Sequence, residues 1–184
     1  YIYNAILSQS TVFEFKPITP EAAERAAVYE NLRYIRLRDG RGRSFPILAN
    51  AGSLAEVRAA AASDAEGIGL FRSEFLFLSL GHAPSEEEQL AVYKETVSIM
   101  AGGTVIVRTL DAGADKALPW MEESMAETNP ALGCRAVRLC LRHPEILVTQ
   151  LRALYRAAVY GPIAAMIPMI TLPRELAAVQ KIAA

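Results

Sequence analysis

The chain has 184 residues, 52% of them hydrophobic, and a formal net charge of −1. That is enough apolar material for a sizeable core and argues against a disordered chain, and the near-neutral balance gives no support for broad binding to nucleic acid or to a membrane surface. Two cysteines, Cys134 and Cys140, stand six apart without a CxxC pattern, which excludes a disulfide framework, leaves a zinc site unsupported and points to a reduced, cytoplasmic protein.

No apolar stretch approaches the roughly 20 residues of a membrane span. The longest, "IAAMIPMITL" at 163–172, is interrupted by Pro168, and the opening "YIYNAILSQS" lacks the basic start of a signal peptide.

The opening residues through "STVFEF" alternate β-branched and aromatic side chains, which predicts a short strand. "KPITP" breaks it, and Pro20 starts an Ala- and Arg-rich helix. "RDGRGRS" (38–44) reads as a turn. These 44 residues do not share the pattern of the remaining 140 and are expected to be the end of one domain (1–16) plus a linker helix and turn (17–44).

From Phe45 a rhythm sets in. "FPILAN" (45–50) is a predicted strand, followed by a helix capped by Ser53 with Glu56 as the capping-box acid. "GIGLFRSEF" (67–75) is the second strand. The helix of 84–100 comes next, with Ser85 and Glu88 forming its box. "TVIVRTLD" (104–111) is the third strand, and "ALGCRAVRLCLR" (131–142) a helix after a long loop. A further helix starts at His143-Pro144 and stops at Gly161-Pro162. "IAAMIPMI" (163–170) is the fourth strand, and a last helix runs to the end. Strands alternating with helices predict a parallel sheet in βα units. Four units in about 140 residues equal half of an eight-fold βα barrel, which takes about 250 residues. An open doubly wound sheet is the structural rival, although no Gly-rich nucleotide fingerprint comes after the first strand.

Two strands repeat one design. "GLFRSE" ends in Arg72, a hydroxyl and an acid, and "VIVRTLD" ends in Arg108, Thr109 and Asp111. In parallel βα architectures the C-terminal strand ends gather on one face, where sites are built. Two guanidiniums there would repel unless an anion lay between them, and their planar forks match phosphate or carboxylate oxygens. The alternative is structural: each Arg paired with its own nearby acid, Glu74 or Asp111. Arg135, in the first turns of a predicted helix, is a third candidate, with Arg138 one turn on. Asn50 at the end of the first strand, and Asp111 with Lys116 in the loop 110–116, are accessory candidates. His82 and His143 read as surface loop residues. Leu151, Tyr155 and Tyr160 read as packing.

The runs "ANAGSLAEV", "AEGIGLFRSEFLFL", "PSEEEQLAVYKE", "VIVRTLDAGADKALP", "NPALGCRAVRLCLRHPEILVTQLRALYRAAVYG" and "MIPMIT" occur in that order. Over about residues 45–184 they closely resemble the phosphoenolpyruvate-binding barrel of enzyme I of the bacterial phosphoenolpyruvate:sugar phosphotransferase system. The resemblance implies a (β/α)8 TIM-barrel family fold, here its N-terminal half, preceded by the end of a swivelling phosphohistidine domain. It implies a phosphoenolpyruvate-protein phosphotransferase, which phosphorylates its own histidine and passes the group to a histidine-containing phosphocarrier protein. Mg2+ is the implied cofactor and a homodimer the implied assembly. By similarity Arg72 and Arg108 hold the phosphate being transferred and Arg135 is a third active-site arginine, which suits a reaction carried by positioning and charge neutralisation.

Against that family's pattern Ser73 replaces Thr, Cys134 replaces Trp, and Ala112 and Ala114 alter the loop after the third strand. The segment with the phosphohistidine, the metal-ligand glutamate, the Asn-Asp pair and the proton-donating cysteine are not found. The expectation is therefore that these residues contribute no catalytic group and no metal ligand, and are inactive alone. Two other readings stay open. One is a barrel related to phosphoenolpyruvate synthase or pyruvate phosphate dikinase. The other is a non-catalytic half barrel whose open edges, at its first and fourth strands, bind a partner.

Overall fold

The computed structural model describes residues 20–32, 34–113, 118, 120–121 and 133–184. The expected opening strand and swivelling-domain segment (1–16), as well as Asp115 and Lys116, lie outside them. The chain divides into two compact units, Tyr1–Ile35 and Arg36–Ala184.

In the first unit, helix α1 (Pro20–Leu32) begins at Pro20 as expected, because a first-turn residue needs no intrahelical N–H.

The second unit opens with a hairpin, β1 (Leu37–Arg38) against β2 (Ser44–Phe45). Asp39 organises its turn by accepting the N–H groups of Arg41 and Arg43, and Gly42 takes φ 78°. The predicted strand 45–50 is thereby divided. Phe45 belongs to the hairpin, Pro46 has no N–H for a ladder, and β3 is Ala49–Ala51.

Then come α2 (Leu54–Ala62), β4 (Gly67–Arg72), α3 (Glu74–Ser79), α4 (Glu86–Ile99), β5 (Thr104–Arg108), α5 (Val137–Arg142), α6 (Pro144–Ala157), β6 (Ile163–Met166) and α7 (Pro173–Ala183). All four strands of the predicted βα rhythm form, and the last three end earlier than expected. β4 stops at Arg72 because Ser73 takes a helical conformation and Leu76 N–H bonds back to its carbonyl. β6 stops before Pro168 and before Met169, which sits at φ 63°. The predicted helix 131–142 starts only at Val137, since Ala136 adopts φ 51°.

The four strands form one parallel sheet in the order β3-β4-β5-β6. A doubly wound sheet reverses its strand order at a switch point. Here the order never reverses, and right-handed crossovers between successive neighbours put their helices on one side. Burial agrees. Ala51, Phe71, Val105 and Val107 on one face are buried to 2% exposure or less, while Leu70, Arg72, Ile106 and Arg108 on the other are only half-buried. β3 and β6 are the sheet's two edges among the described residues.

The helix-covered side holds the core, with Tyr93 of α4 edge-on to Phe71 at 6.3 Å between ring centres. Leu151 packs there as expected. Tyr155 and Tyr160 do not: both are exposed, Tyr155 on the outer side of α6 and Tyr160 beneath the Lys94 ammonium at 4.4 Å from its ring centre. Helical spacing identified a stripe, but not which side of it faced the sheet.

Candidate functional site

Arg72 and Arg108 are the last residues of adjacent strands and are paired in register, Arg72 opposite Arg108 and Arg108 opposite Met166. In a parallel ladder, residues paired in this way leave the same face of the sheet. Both guanidiniums therefore start side by side on the face that the helices leave uncovered.

Each is held by an acid from the preceding unit. Glu56, in the first turn of the helix after β3, accepts from Arg72 Nη2 at 3.2 Å, and Glu74, the first residue of the helix after β4, accepts from Arg108 Nη2 at 2.5 Å. Glu56 was expected to close a capping box. Its nitrogen does meet the Ser53 hydroxyl at 3.2 Å, but its carboxylate reaches one residue further, to Gly52 N–H at 2.7 Å, which leaves it oriented toward Arg72. The other flank of Arg72 is the Phe75 ring, 4.8 Å from the guanidinium carbon. Glycine at 52 is required by this arrangement, since a Cβ there would lie 2.6 Å from the Phe75 ring and 3.1 Å from Arg72 Nη2.

Arg135 lies just before α5, not in its first turns. Ala136 N–H donates to Ala112 carbonyl at 3.2 Å, which draws this segment against the exit of β5 and sets Arg135 beside Asp111. Asp111 then bridges two cations. Its Oδ1 accepts from Arg135 Nη2 at 3.0 Å and Nε at 3.1 Å, and its Oδ2 lies 3.2 Å from Arg108 Nη1. Side-chain exposure falls from 29% at Arg72 to 19% at Arg108 and 12% at Arg135, so none is a solvated surface arginine.

The rim thus collects Arg72, Arg108, Arg135 and Asp111. Asn50 is exposed, sits opposite Leu70 and forms no side-chain hydrogen bond among the described residues; Lys116 lies outside them. Arg138 turns away, its Nη1 to Gly133 carbonyl at 3.2 Å and its Nε 3.6 Å from Glu175. His82 is exposed beside Glu88, and His143 joins α5 to α6 near Glu145.

One expectation needs correction. The repulsion of two bare guanidiniums does not call for an anion here, because Glu56, Glu74 and Asp111 already face the three cations. What the carboxylates leave over is specific, however. Nε of Arg72 and Nε of Arg108 are both buried with no hydrogen-bond partner among the described residues. A buried donor without an acceptor is costly, and Nε with its neighbouring Nη is the edge that grips an oxyanion in bidentate fashion.

Beneath the rim lies a buried polar chain that sequence reading missed. Gln150 of α6, fully buried, bonds Leu110 N–H, Ser73 Oγ and Tyr93 Oη. Its signal was a lone amide on the apolar side of α6, between Leu147 and Leu151. The thiol of Cys140 is pushed up to about 12, chiefly by burial and then by the charge of Asp111, so it is unreactive. Among the described residues no group of three or more His, Cys, Asp or Glu is arranged to hold a metal ion, and the rim carboxylates all face guanidiniums. This donor set does not fit a magnesium ion.

Known proteins extend the picture. The phosphoenolpyruvate-protein phosphotransferase of Listeria innocua is 39% identical over 168 residues, covering 91% of this chain and 29% of the relative. That of Geobacillus stearothermophilus is 49% identical over 124 residues, 67% of this chain and 21% of the relative. The multiphosphoryl transfer protein of Rhodobacter capsulatus is 43% identical over 142 residues, 77% of this chain and 17% of the relative. The chain spans less than a third of the length of each. The family model described as PEP-utilising enzyme, PEP-binding domain, matches residues 27–184. The match begins inside α1 and takes in the hairpin, all four parallel strands and the arginine rim, and on it the chain belongs to the PEP-utilising enzyme family.

Proposed function

We propose that this chain is the phosphoenolpyruvate-holding part of a phosphoenolpyruvate-protein phosphotransferase, and that Arg72, Arg108 and Arg135 bind the phosphate during its transfer. The observation that carries this reading is the pair of buried, unpartnered Nε–H groups on two guanidiniums in register at one rim. A phosphate approaching them gains two charge-assisted forks, and Asp111 keeps Arg135 aligned beside Arg108. The internal carboxylates hold the guanidiniums until the ligand arrives, and Glu56 and Glu74 give way at Nη2 as the phosphate takes each fork.

The unreversed strand order with helices on one side supports half of a (β/α)8 barrel, with 45–184 as its N-terminal portion and the residues before it as linker and swivelling-domain end. The implied phosphoryl acceptors are a histidine of the same protein and then a histidine-containing phosphocarrier protein. Mg2+, with ligands outside the described residues, and a homodimer complete the reading. No described residue is assigned a catalytic step.

Calorimetric titration tests the reading. Phosphoenolpyruvate and inorganic phosphate should compete for the chain while pyruvate, which lacks the phosphoryl group, should not bind. Arg108→Ala should abolish binding. Arg108→Lys keeps the charge facing Glu74 but loses the fork, and should weaken binding about tenfold or more. Unchanged affinity in Arg108→Lys, or a wild-type chain indifferent to phosphoenolpyruvate, would refute the assignment.

A further inference from the structure

A fully buried carboxamide must find partners at both ends. Gln150 does, and its neighbours fix the direction of every bond. Leu110 N–H can only donate, so the atom 2.9 Å from it is the Gln150 carbonyl oxygen Oε1. That leaves the two hydrogens on Nε2 for Ser73 Oγ at 3.0 Å and Tyr93 Oη at 2.9 Å. Both hydroxyls, having accepted, place their own protons elsewhere. Ser73 donates to the Arg108 carbonyl at 2.6 Å, and Tyr93 to Gln89 Oε1 at 3.1 Å. Gln89 Nε2 closes the series on Pro84 carbonyl at 3.0 Å. Burial pushes the Tyr93 phenol well above its ordinary pKa, so it keeps its proton and the polarity holds.

The two branches that reach β5 grip the backbone on either side of Thr109: the Arg108 carbonyl through Ser73, and the Leu110 N–H directly. Thr109 N–H itself bonds Met166 carbonyl at 2.9 Å. Three consecutive residues are thereby fixed at the point where Arg108 leaves the strand and Asp111 is about to.

We propose that Gln150 is a positioning residue of the rim. From α6, where no ligand can touch it, it clamps the Arg108–Leu110 backbone and so sets the aim of Arg108 and Asp111, and through Asp111 that of Arg135. The identity of the ligand rests on the proposed function; the clamp itself does not.

Substitutions separate this role from that of a buried polar group serving stability alone. Gln150→Glu keeps the side-chain volume, but a carboxyl carries at most one proton where the amide carries two. It cannot serve both Ser73 and Tyr93, and the Ser73 hydroxyl is drawn away from Arg108. Ser73→Ala removes that branch alone, while Ser73→Thr retains it. Ile68→Val, a core deletion at the far end of β4 from Ser73, supplies a destabilised control. In 15N-labelled chain, the Arg108 Nε–H resonance and the Leu110 amide exchange rate are read beside phosphoenolpyruvate affinity.

Gln150→Glu should shift the Arg108 resonance, speed Leu110 exchange and weaken phosphoenolpyruvate about tenfold. Ser73→Ala should reproduce the resonance shift and the loss of affinity. Ser73→Thr and Ile68→Val should leave the resonance and the affinity as in wild type. An unmoved Arg108 resonance in Gln150→Glu, or the same shift in Ile68→Val, overturns the proposal, and Ser73→Ala decides if Gln150→Glu does not fold. A wild-type chain that ignores phosphoenolpyruvate would sink the functional reading, while the resonance and the exchange rate would still decide the clamp.

Discussion

Two arginine–carboxylate clusters occur in the second unit, built from the same groups and put to different use. On the outside, Arg152 and Arg156 of α6 meet Glu86 and Glu87 of α4 at 2.5–2.8 Å. Arg152, Arg156 and Glu87 are largely open to water, with Glu87 73% exposed, and can exchange these contacts for solvent ones, although Glu86 itself is half-buried. At the rim, Glu74 is 1% exposed and Arg108 is fixed on its strand by a backbone that Gln150 holds in turn. Short distances are therefore poor guides to importance. What distinguishes the rim is that two of its Nε–H groups are shut off from water and have no acceptor among the described residues. The outer cluster joins two helices and offers no such group among the described residues.

Breaking the rim from the acid side should have the largest effect. Glu74→Ala removes the more buried of the two carboxylates that face the Arg108 guanidinium and leaves Asp111, which should cost about 3 kcal/mol in urea denaturation, the lower end for a broken buried pair. A loss no larger than that of an exposed substitution would show that Arg108 relaxes into solvent and that the contrast between the clusters is false. Gly52→Ala comes next. The new methyl should push the Phe75 ring off Arg72, costing about 1–3 kcal/mol from overpacking. Phosphoenolpyruvate should bind more weakly while the helical circular dichroism is retained. An unaltered affinity would remove Phe75 from the account of how Arg72 is aimed.

The outer surface should respond to pH more than to mutation. Glu88 is held down to about 2 by the Ser85 hydroxyl and N–H and then by His82, against an ordinary value of 4.5. Its folded-state pKa is depressed, so its contribution is complete above about pH 4.5 and is lost as pH falls toward 2. The thermal midpoint should drop over that window, and Glu88→Gln should flatten the drop. A parallel decline in both proteins would assign it to other groups. The smallest effect belongs to Arg156→Ala, whose midpoint should stay within error and whose small response should vanish in 1 M salt.

Much of the architecture was legible in the residues alone. Helix starts were marked by Pro20, Ser53, Ser85 and Pro144, because capping is a local matter of which side chain reaches which N–H. Strand ends were less legible, since Leu110 N–H leaves the ladder for a side chain 40 residues further on. The site was half readable. Arg72, Arg108 and Arg135 were identified by repeated strand endings and by resemblance, whereas Glu56 was read only as a capping acid and Gln150 was not singled out. A capping carboxylate and a lone buried amide look the same in sequence whether or not they serve a neighbour.

By itself, the sequence determined the alternation of strands and helices, the parallel sense of the sheet and the placing of two guanidiniums at the ends of successive strands, all consequences of local periodicity and of connection length. Only the tertiary structure decided that the strands keep their order without reversal, that Arg72 falls opposite Arg108, and that each cation meets an acid from the unit before it. The physical reason is range. Ion pairing joins groups 16 and 34 residues apart and register joins Arg72 to Arg108 across 36, and their energy depends on a burial that no neighbouring residue reports.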